Sequence, residues 1–123
     1  MKQLLAIMEN IPLAHYSSYR IGGPAKRFFK AETEAEFIDA LAEIREEPFF
    51  ILGGGTNIVF SDEGFDGFVL KPSLATIDIR GEEMHVGAGA LMKDVVASAA
   101  EAGLAGLEWA GGLPGTLGGA IRG

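Results

Sequence analysis

Three consecutive glycines are the most chemically informative feature of the sequence. The glycines at 53–55 follow the apolar run 49–52 and precede Thr56 and Asn57. The apolar run predicts a short buried strand, and the glycines predict a turn with positive φ angles. Backbone N–H groups in such a turn can form a concave nest that binds phosphate oxygens without a lysine. The alternative is a tight turn in which the glycines have a steric role only.

A second glycine-rich segment occupies residues 103–123, which hold eight of the eighteen glycines. Pro114 suits the first turn of a short helix, whose free N–H groups and positive dipole end favour an anion. Small residues in this helix also allow a second backbone or a flat ring to approach closely. The sequence therefore predicts two separate elements that could bind the same anionic ligand.

The first glycine turn is expected at the end of a βαβ unit. A strand at about 25–30 is followed by a helix at 34–46, which Thr33 and Glu36 begin with a capping box. The strand at 49–52 completes the unit, and its strands should be parallel with a right-handed crossover. The turn would then lie at the carboxyl end of a parallel strand, where ligands bind in such sheets.

The remaining segments predict two small subdomains. The composition break at 71–73 favours a boundary that separates residues 1–72 from residues 73–123. Residues 1–14 are expected to form a helical turn or an irregular arm at the start of the first subdomain. The other predicted elements are a strand at 68–71, a hairpin of 76–79 with 84–87, and a helix at 91–102 that ends at Gly103.

Two common nucleotide-binding motifs are absent from the sequence. A Gly-x-Gly-x-x-Gly motif that starts at Gly53 needs glycine at Ile58, and one that starts at Gly87 needs glycine at Met92. No glycine cluster runs into lysine followed by serine or threonine, so a P-loop is excluded as well. The remaining possibility is a site in which backbone amides bind a dinucleotide and apolar loop residues line a flat heterocycle.

Composition and charge exclude several other classes of protein. Hydrophobic residues make up 48% of the chain and charged residues 22%, as in an ordinary folded domain. A net charge of −7 and scattered basic residues argue against a nucleic-acid-binding surface. The chain lacks cysteine, and His15 and His85 have no neighbours at metal-ligand spacing. No run approaches the roughly 18 apolar residues of a membrane span, so we expect a cytoplasmic protein.

Five blocks of sequence match a known family in their order and spacing, from about residue 11 to the last residue. They are Tyr-Arg-Ile-Gly-Gly-Pro-Ala at 19–25, Leu-Gly-Gly-Gly-Thr-Asn at 52–57, Ser-Asp-Glu-Gly-Phe-Asp-Gly at 61–67, Gly-Ala-Gly at 87–89, and the segment 106–120 that contains Pro-Gly-Thr-Leu-Gly-Gly-Ala. Each block alone is weak, but together they resemble the UDP-N-acetylenolpyruvoylglucosamine reductase family. Thr56 stands where that family commonly has serine, and it keeps the hydroxyl.

The resemblance implies an α+β FAD-binding domain of the vanillyl-alcohol-oxidase type. Such a domain has two small α+β subdomains with FAD between them, and here it would be truncated at the C-terminus. The first glycine turn would hold the pyrophosphate, residues 20–22 would lie near the flavin, and the second glycine segment would form the other wall. The cofactor-binding residues implied in this way are Arg20, Ile21, Gly22, Gly53, Gly54, Gly55, Thr56, Asn57, Ile58, Pro114, Gly115, Thr116, Gly118 and Gly119.

The resemblance also implies a reaction. In the family, NADPH reduces FAD, and the reduced cofactor transfers a hydride to the enolpyruvyl group of the UDP-sugar, which gives UDP-N-acetylmuramate. The family's catalytic serine, arginine and glutamate belong to later motifs, so they are expected downstream of Gly123 in a substrate domain. Arg122 is expected to be structural or to lie near the phosphates, and Glu108 and Trp109 to pack and orient neighbouring residues.

Two alternatives to the reductase remain open. The chain could be a flavin-binding module or remnant without catalysis, or part of another flavoprotein oxidoreductase of the same superfamily, such as an oxidase. The 123 residues alone are expected to be inactive, both as part of a reductase and as a flavin-binding module. NADPH-dependent reduction of UDP-N-acetylenolpyruvoylglucosamine would separate the reductase from the alternatives.

Overall fold

The computed structural model describes residues 5–44 and 46–122. These residues form an α+β fold, as the sequence predicts. Short 3-10 turns occur at Leu13–Tyr16 and Glu108–Ala110. The strands are β1 (Met8–Pro12), β2 (Pro24–Ala31), β3 (Phe49–Ile51), β4 (Phe65–Pro72), β5 (Ile77–Arg80) and β6 (Glu83–Val86), and the helices are α1 (Glu34–Glu43), α2 (Met92–Glu101) and α3 (Leu117–Arg122).

A four-stranded sheet with the order β1-β2-β4-β3 forms the first half of the fold. Strands β2, β4 and β3 are parallel to one another, and β1 is antiparallel to β2. The predicted βαβ unit of β2, α1 and β3 is therefore confirmed, with β4 inserted between its two strands. This insertion leaves β3 at the edge of the sheet.

The central strand β4 separates two hydrophobic cores. Its residues Phe68, Val69 and Leu70 are all buried, as expected for a parallel strand covered on both faces. Successive residues of a strand point to opposite faces, so Val69 packs into one core and its two neighbours into the other. One core contains Leu13, Ala25, Phe28, Leu52 and Val69, and the other contains Phe29, Ala31, Ala40, Phe68 and Leu70.

Helix α1 begins as the capping box predicts but ends earlier. Thr33 Oγ1 accepts a hydrogen bond from the Glu36 N–H at 3.1 Å, and the Glu36 carboxylate accepts one from the Glu32 N–H. The helix was expected to reach residue 46, but Ile44 already has an extended backbone and packs against the second core. Residue 45 of the predicted helix lies outside the described residues.

Strand β3 is less buried than the apolar run 49–52 predicts. Phe49 is 54% exposed and Ile51 is 41% exposed, whereas Leu52 is buried. The prediction of a buried strand was wrong because β4 takes the central place, so that one face of the edge strand stays uncovered. The apolar residues of this strand therefore lie partly on the surface and partly against the core.

The N-terminal arm also differs from its prediction. Residues 8–12 form strand β1, which pairs with β2 from Met8 opposite Phe28 to Pro12 opposite Pro24. The prediction of a helical turn or an irregular arm over 1–14 was wrong at these positions, because they pair with the edge of β2. Residues 1–4 of that prediction lie outside the described residues.

The second half of the chain confirms the hairpin and the second helix. Strands β5 and β6 pair antiparallel across a turn in which Gly81 has a φ of 64°. Helix α2 is followed by Gly103 with a φ of 71°, the conformation of a C-terminal glycine. The predicted boundary at residue 72 stays a prediction, although the change from one sheet to the other lies between β4 and β5. No helix in the described ranges is long and apolar enough to cross a membrane.

Helix α3 begins later than predicted. Pro114 was expected in its first turn, but the helix starts at Leu117, and Gly115 with a φ of 91° lies between them. Thr116 precedes the helix, where its Oγ1 accepts a hydrogen bond from the Gly119 N–H at 3.3 Å. The prediction was wrong because a threonine, not the proline, caps this helix.

Candidate functional site: a cleft between two glycine turns

The two glycine-rich segments meet in the folded chain. A Cβ atom built on Gly54 would lie 3.1 Å from the Cα atom of Gly115, and one on Gly53 would lie 3.2 Å from Thr116 Oγ1. In the opposite direction, a Cβ atom on Gly115 would lie 3.0 Å from Thr56 Oγ1. We call residues 53–57 the glycine loop and residues 113–116 the proline turn. Their backbones approach so closely that side chains would separate them.

The residues before β2 hold the glycine loop from one side. The Ser18 N–H donates to the Gly55 carbonyl oxygen at 2.9 Å, and Ser17 Oγ donates to the Ile58 carbonyl oxygen at 2.7 Å. Gly55 has a φ of 71°, and a Cβ atom there would overlap the carbonyl oxygen of Tyr16. Glycine is therefore needed at position 55 for both its backbone conformation and its small size.

The segment before α2 holds the proline turn. The Met92 N–H donates to the Gly115 carbonyl oxygen at 2.9 Å, and the N–H groups of Leu117 and Gly118 donate to the carbonyl oxygens of Ala90 and Ala88. A Cβ atom on Gly118 would lie 3.0 Å from the Cβ atom of Ala88. The block at 87–89 in the sequence thus positions the second wall.

A cleft of about 740 Å³ lies between the two turns, within the range of small-molecule and cofactor sites. Among the described residues, no protein acceptor takes a hydrogen bond from the backbone N–H groups of residues 53–57. These N–H groups remain available to a ligand. We call this space the glycine cleft; its lining residues are Phe50, Leu52, Gly53, Gly54, Gly55, Thr56, Asn57, Ile58, Leu113, Pro114, Gly115, Thr116, Gly119, Ala120 and Arg122.

Most of the site residues implied by the resemblance line this cleft. Gly118 lines a neighbouring cleft of about 790 Å³, which shares Phe50, Gly53, Thr116, Gly119 and Arg122 with the first. Arg122 thus contacts both spaces, and it is the only ionisable group that lines the glycine cleft among the described residues. Its predicted place near phosphates agrees with this position and stays a prediction.

The loop that contains Arg20, Ile21 and Gly22 lies beside the glycine loop and lines neither cleft. Arg20 has a φ of 54°, and its N–H donates to the Ser17 carbonyl oxygen at 3.0 Å. Ser17 is the same residue that bonds to Ile58, so this loop and the glycine loop share one anchor. The side chain of Ile21 is 49% exposed. A role near the flavin stays a prediction for these residues.

Lys71 contacts the glycine loop, and the sequence did not predict this contact. Its Nζ atom donates a hydrogen bond to the Gly53 carbonyl oxygen at 2.6 Å. Burial and the positive charge of Lys30 lower the pKa of Lys71 below its ordinary value of 10.5. The signal in the sequence is that Lys71 ends the apolar run of β4. Lys71 can reach Gly53 only because β4 lies next to β3, and the sequence does not reveal this strand order.

The other singled-out residues have local roles. The backbone N–H groups of Glu108 itself and of Gly106 interact with the Glu108 carboxylate and lower the pKa of Glu108. Trp109 Nε1 donates to the Gly106 carbonyl oxygen. His85 lies on strand β6 beside Glu83, and His15 is exposed. No group of potential metal ligands occurs within residues 5–44 and 46–122.

Comparison with known proteins shows that this chain is similar to proteins that bind FAD. Residues 25–123 match the family described as "FAD binding domain". Similar curated proteins are the UDP-N-acetylenolpyruvoylglucosamine reductases of Solibacter usitatus (39% identity over 97% of this chain and 39% of that protein) and Streptomyces coelicolor (40% identity over 90% of this chain and 30% of that protein). The solved structure of the corresponding reductase (MurB) from Thermus caldophilus matches 96% of this chain and 42% of its own, with 36% identity and a TM-score of 0.79.

These matches confirm the resemblance stated from the sequence, the α+β FAD-binding fold and FAD as the cofactor. The chain spans about two-fifths or less of the length of the relatives it matches. The match to the cofactor-domain family includes both walls of the glycine cleft. The chain belongs to the FAD binding domain family.

Proposed function

We propose that this chain is the FAD-binding part of a UDP-N-acetylenolpyruvoylglucosamine reductase that uses NADPH in the cytoplasm. The observation that carries the proposal is the close approach of two glycine turns around free backbone amides, in a chain that resembles these reductases along almost its whole length. The bound FAD supplies two-electron transfer. The residues of the chain bind and orient it.

The glycine loop fits the pyrophosphate of FAD. Its N–H groups have no protein acceptor among the described residues, and a phosphate oxygen accepts such bonds readily. The absence of side chains at 53–55 lets the anion approach the backbone, and the exposed Thr56 and Asn57 add side-chain donors at the rim. The proline turn closes the other side, and Arg122 adds a positive charge at the end of α3.

Proton transfer to the substrate is assigned to residues outside this chain. No carboxylate, histidine or serine lines the glycine cleft among the described residues. The relatives are more than twice as long as the part that this chain matches, which leaves room for a substrate domain. The alternative, a flavin-binding module without catalysis, differs from the proposal only in lacking such a substrate domain.

Two measurements test the proposal in sequence. Titration of the chain with FAD, followed by flavin fluorescence, should show saturable binding, and absence of binding would contradict it. The protein purified from its source should then oxidise NADPH only when UDP-N-acetylenolpyruvoylglucosamine is present. FAD binding without this activity would favour the binding module, and NADPH oxidation that requires only oxygen would favour an oxidase.

A further inference from the structure

Lysine 71 makes a contact with the glycine loop that the function proposed above does not use. Lys71 is half-buried at the end of β4, and its Nζ atom lies 2.6 Å from the Gly53 carbonyl oxygen. It lines neither cleft of the described chain, so its ammonium group lies outside the space where a ligand would bind. A cation placed there acts on the ligand through the peptide group that it contacts.

The geometry of the peptide bond gives this contact a direction. No peptide bond in the described part of the chain is cis. The C=O and N–H groups of a trans peptide point in opposite directions. Because the Gly53 carbonyl oxygen points at Lys71, the N–H group of Gly54 points away from the ammonium. Gly54 itself lines the glycine cleft and has no protein acceptor for that N–H group among the described residues.

The lysine also changes the strength of that donor. A hydrogen bond to a cation draws electron density from the carbonyl oxygen, and this polarisation strengthens the N–H group on the other side of the same peptide. The effect matters in a chain whose net charge is −7, because an acidic protein otherwise repels a pyrophosphate. One half-buried cation behind the loop thus offsets the charge where the anion would bind.

We propose that Lys71 is a positioning residue for the pyrophosphate of FAD, because it fixes and polarises the Gly53–Gly54 peptide so that the Gly54 N–H group faces a phosphate oxygen. This inference rests on the function proposed above. Lys71 touches the peptide and not the cofactor. Its contribution should therefore depend on the pyrophosphate and not on the flavin ring.

Two substitutions at Lys71 and one matched control test this role. Lys71→Met removes the ammonium but keeps an unbranched side chain, and Lys71→Arg restores a cationic donor. Lys30→Met is the control, because Lys30 lies opposite Lys71 in the neighbouring strand and forms an ion pair with Glu32 at 3.9 Å. The affinity of each variant is measured by flavin fluorescence for FAD and for riboflavin, which lacks the pyrophosphate.

Loss of a charge-assisted hydrogen bond corresponds to about a tenfold weaker affinity. Lys71→Met should weaken FAD binding by about this factor and leave riboflavin binding within about twofold. Lys71→Arg should recover most of the FAD affinity, and Lys30→Met should change neither ligand. Equal losses for FAD and riboflavin, or no loss in Lys71→Met, would overturn the positioning role.

A measurement without ligand separates this inference from the proposed function. In a ¹H–¹⁵N correlation spectrum, Lys71→Met should shift the Gly54 amide resonance upfield as its N–H loses polarisation, whereas Lys30→Met should leave it in place. If wild-type chain fails to bind FAD, the proposed function fails, and the Gly54 shift still decides whether Lys71 polarises the peptide. An unchanged Gly54 resonance in Lys71→Met would overturn the inference even if FAD binds.

Discussion

Gly54 and Gly115 lie opposite each other where the two walls of the glycine cleft meet, so closely that a Cβ atom on Gly54 would lie 3.1 Å from the Gly115 Cα atom. The two residues are sixty-one positions apart in the sequence. A side chain at Gly54 would therefore press on the Gly115 backbone, and a side chain at Gly115 would press on the Thr56 side chain, so that one wall has to move in either case. This requirement makes the contact a direct test of the site.

Gly54→Val should abolish FAD retention, because the branched side chain separates the glycine loop from the proline turn. Gly112→Val is the matched control, since a Cβ atom at Gly112 would meet no atom within 4 Å. Equilibrium dialysis with FAD measures the loss, and circular dichroism checks that the helices remain folded. FAD affinity that is unchanged in Gly54→Val would contradict the assignment of the glycine loop to the pyrophosphate.

Gly55→Ala should destabilise the fold itself. The new Cβ atom would overlap the Tyr16 carbonyl oxygen, and the φ of 71° is strained for alanine. Gly81→Ala separates the two effects, because Gly81 has a φ of 64° but open space around it. Backbone strain alone costs about 1–3 kcal/mol. The free energy of unfolding from urea titration should fall further for Gly55→Ala than for Gly81→Ala, and equal losses would show that the overlap is relieved.

The uncovered face of β3 should promote self-association. Four large apolar side chains are each at least 40% exposed: Phe49 and Ile51 on β3, and Ile38 and Leu41 on α1. Strand β3 is also an edge strand, whose free backbone groups can pair with another chain. Light scattering should report a mass above that of a monomer at high concentration. Phe49→Lys should lower this mass, since edge lysines oppose strand pairing. A monomeric wild-type chain would refute the prediction.

Lys71 should make stability depend on pH in the alkaline range. Its lowered pKa means that the unfolded chain holds more protons than the folded chain between the folded pKa and 10.5. The free energy of unfolding should therefore rise with pH in that window. Lys71→Met should lack this rise. Urea titrations at several pH values measure the free energy of unfolding of the wild-type chain and of Lys71→Met, which share all their other titrating groups. If this free energy changes with pH in parallel in the two proteins, the effect is ruled out.

Features set by local sequence were predicted well. The capping pair Thr33 and Glu36 begins α1, and Gly81 and Gly103 each adopt the positive φ that their turn or helix end requires. These outcomes depend on residues within one turn of each other. The chemistry of free amides and the resemblance also predicted that the two glycine segments serve one ligand. The structure places both segments along one cleft, and the binding of the ligand there stays a prediction.

Features set by strand order could not be read from the sequence. The exposure of Phe49 and the contact of Lys71 with Gly53 both follow from the insertion of β4 between β2 and β3. Strand β1 likewise exists because β2 offers it a free edge. Such pairings join residues that are distant in sequence, and no local pattern encodes them.

The distance in sequence between Gly54 and Gly115 also sets the order in which the site can be made during translation. At roughly 5–20 residues per second, the ribosome adds the second wall about 3–12 s after the first. Until then the glycine loop has no opposite wall, and the apolar residues that flank it lie open to water and to chaperones. Capture of the cofactor between both walls would therefore begin only after the segment that contains Gly115 has emerged.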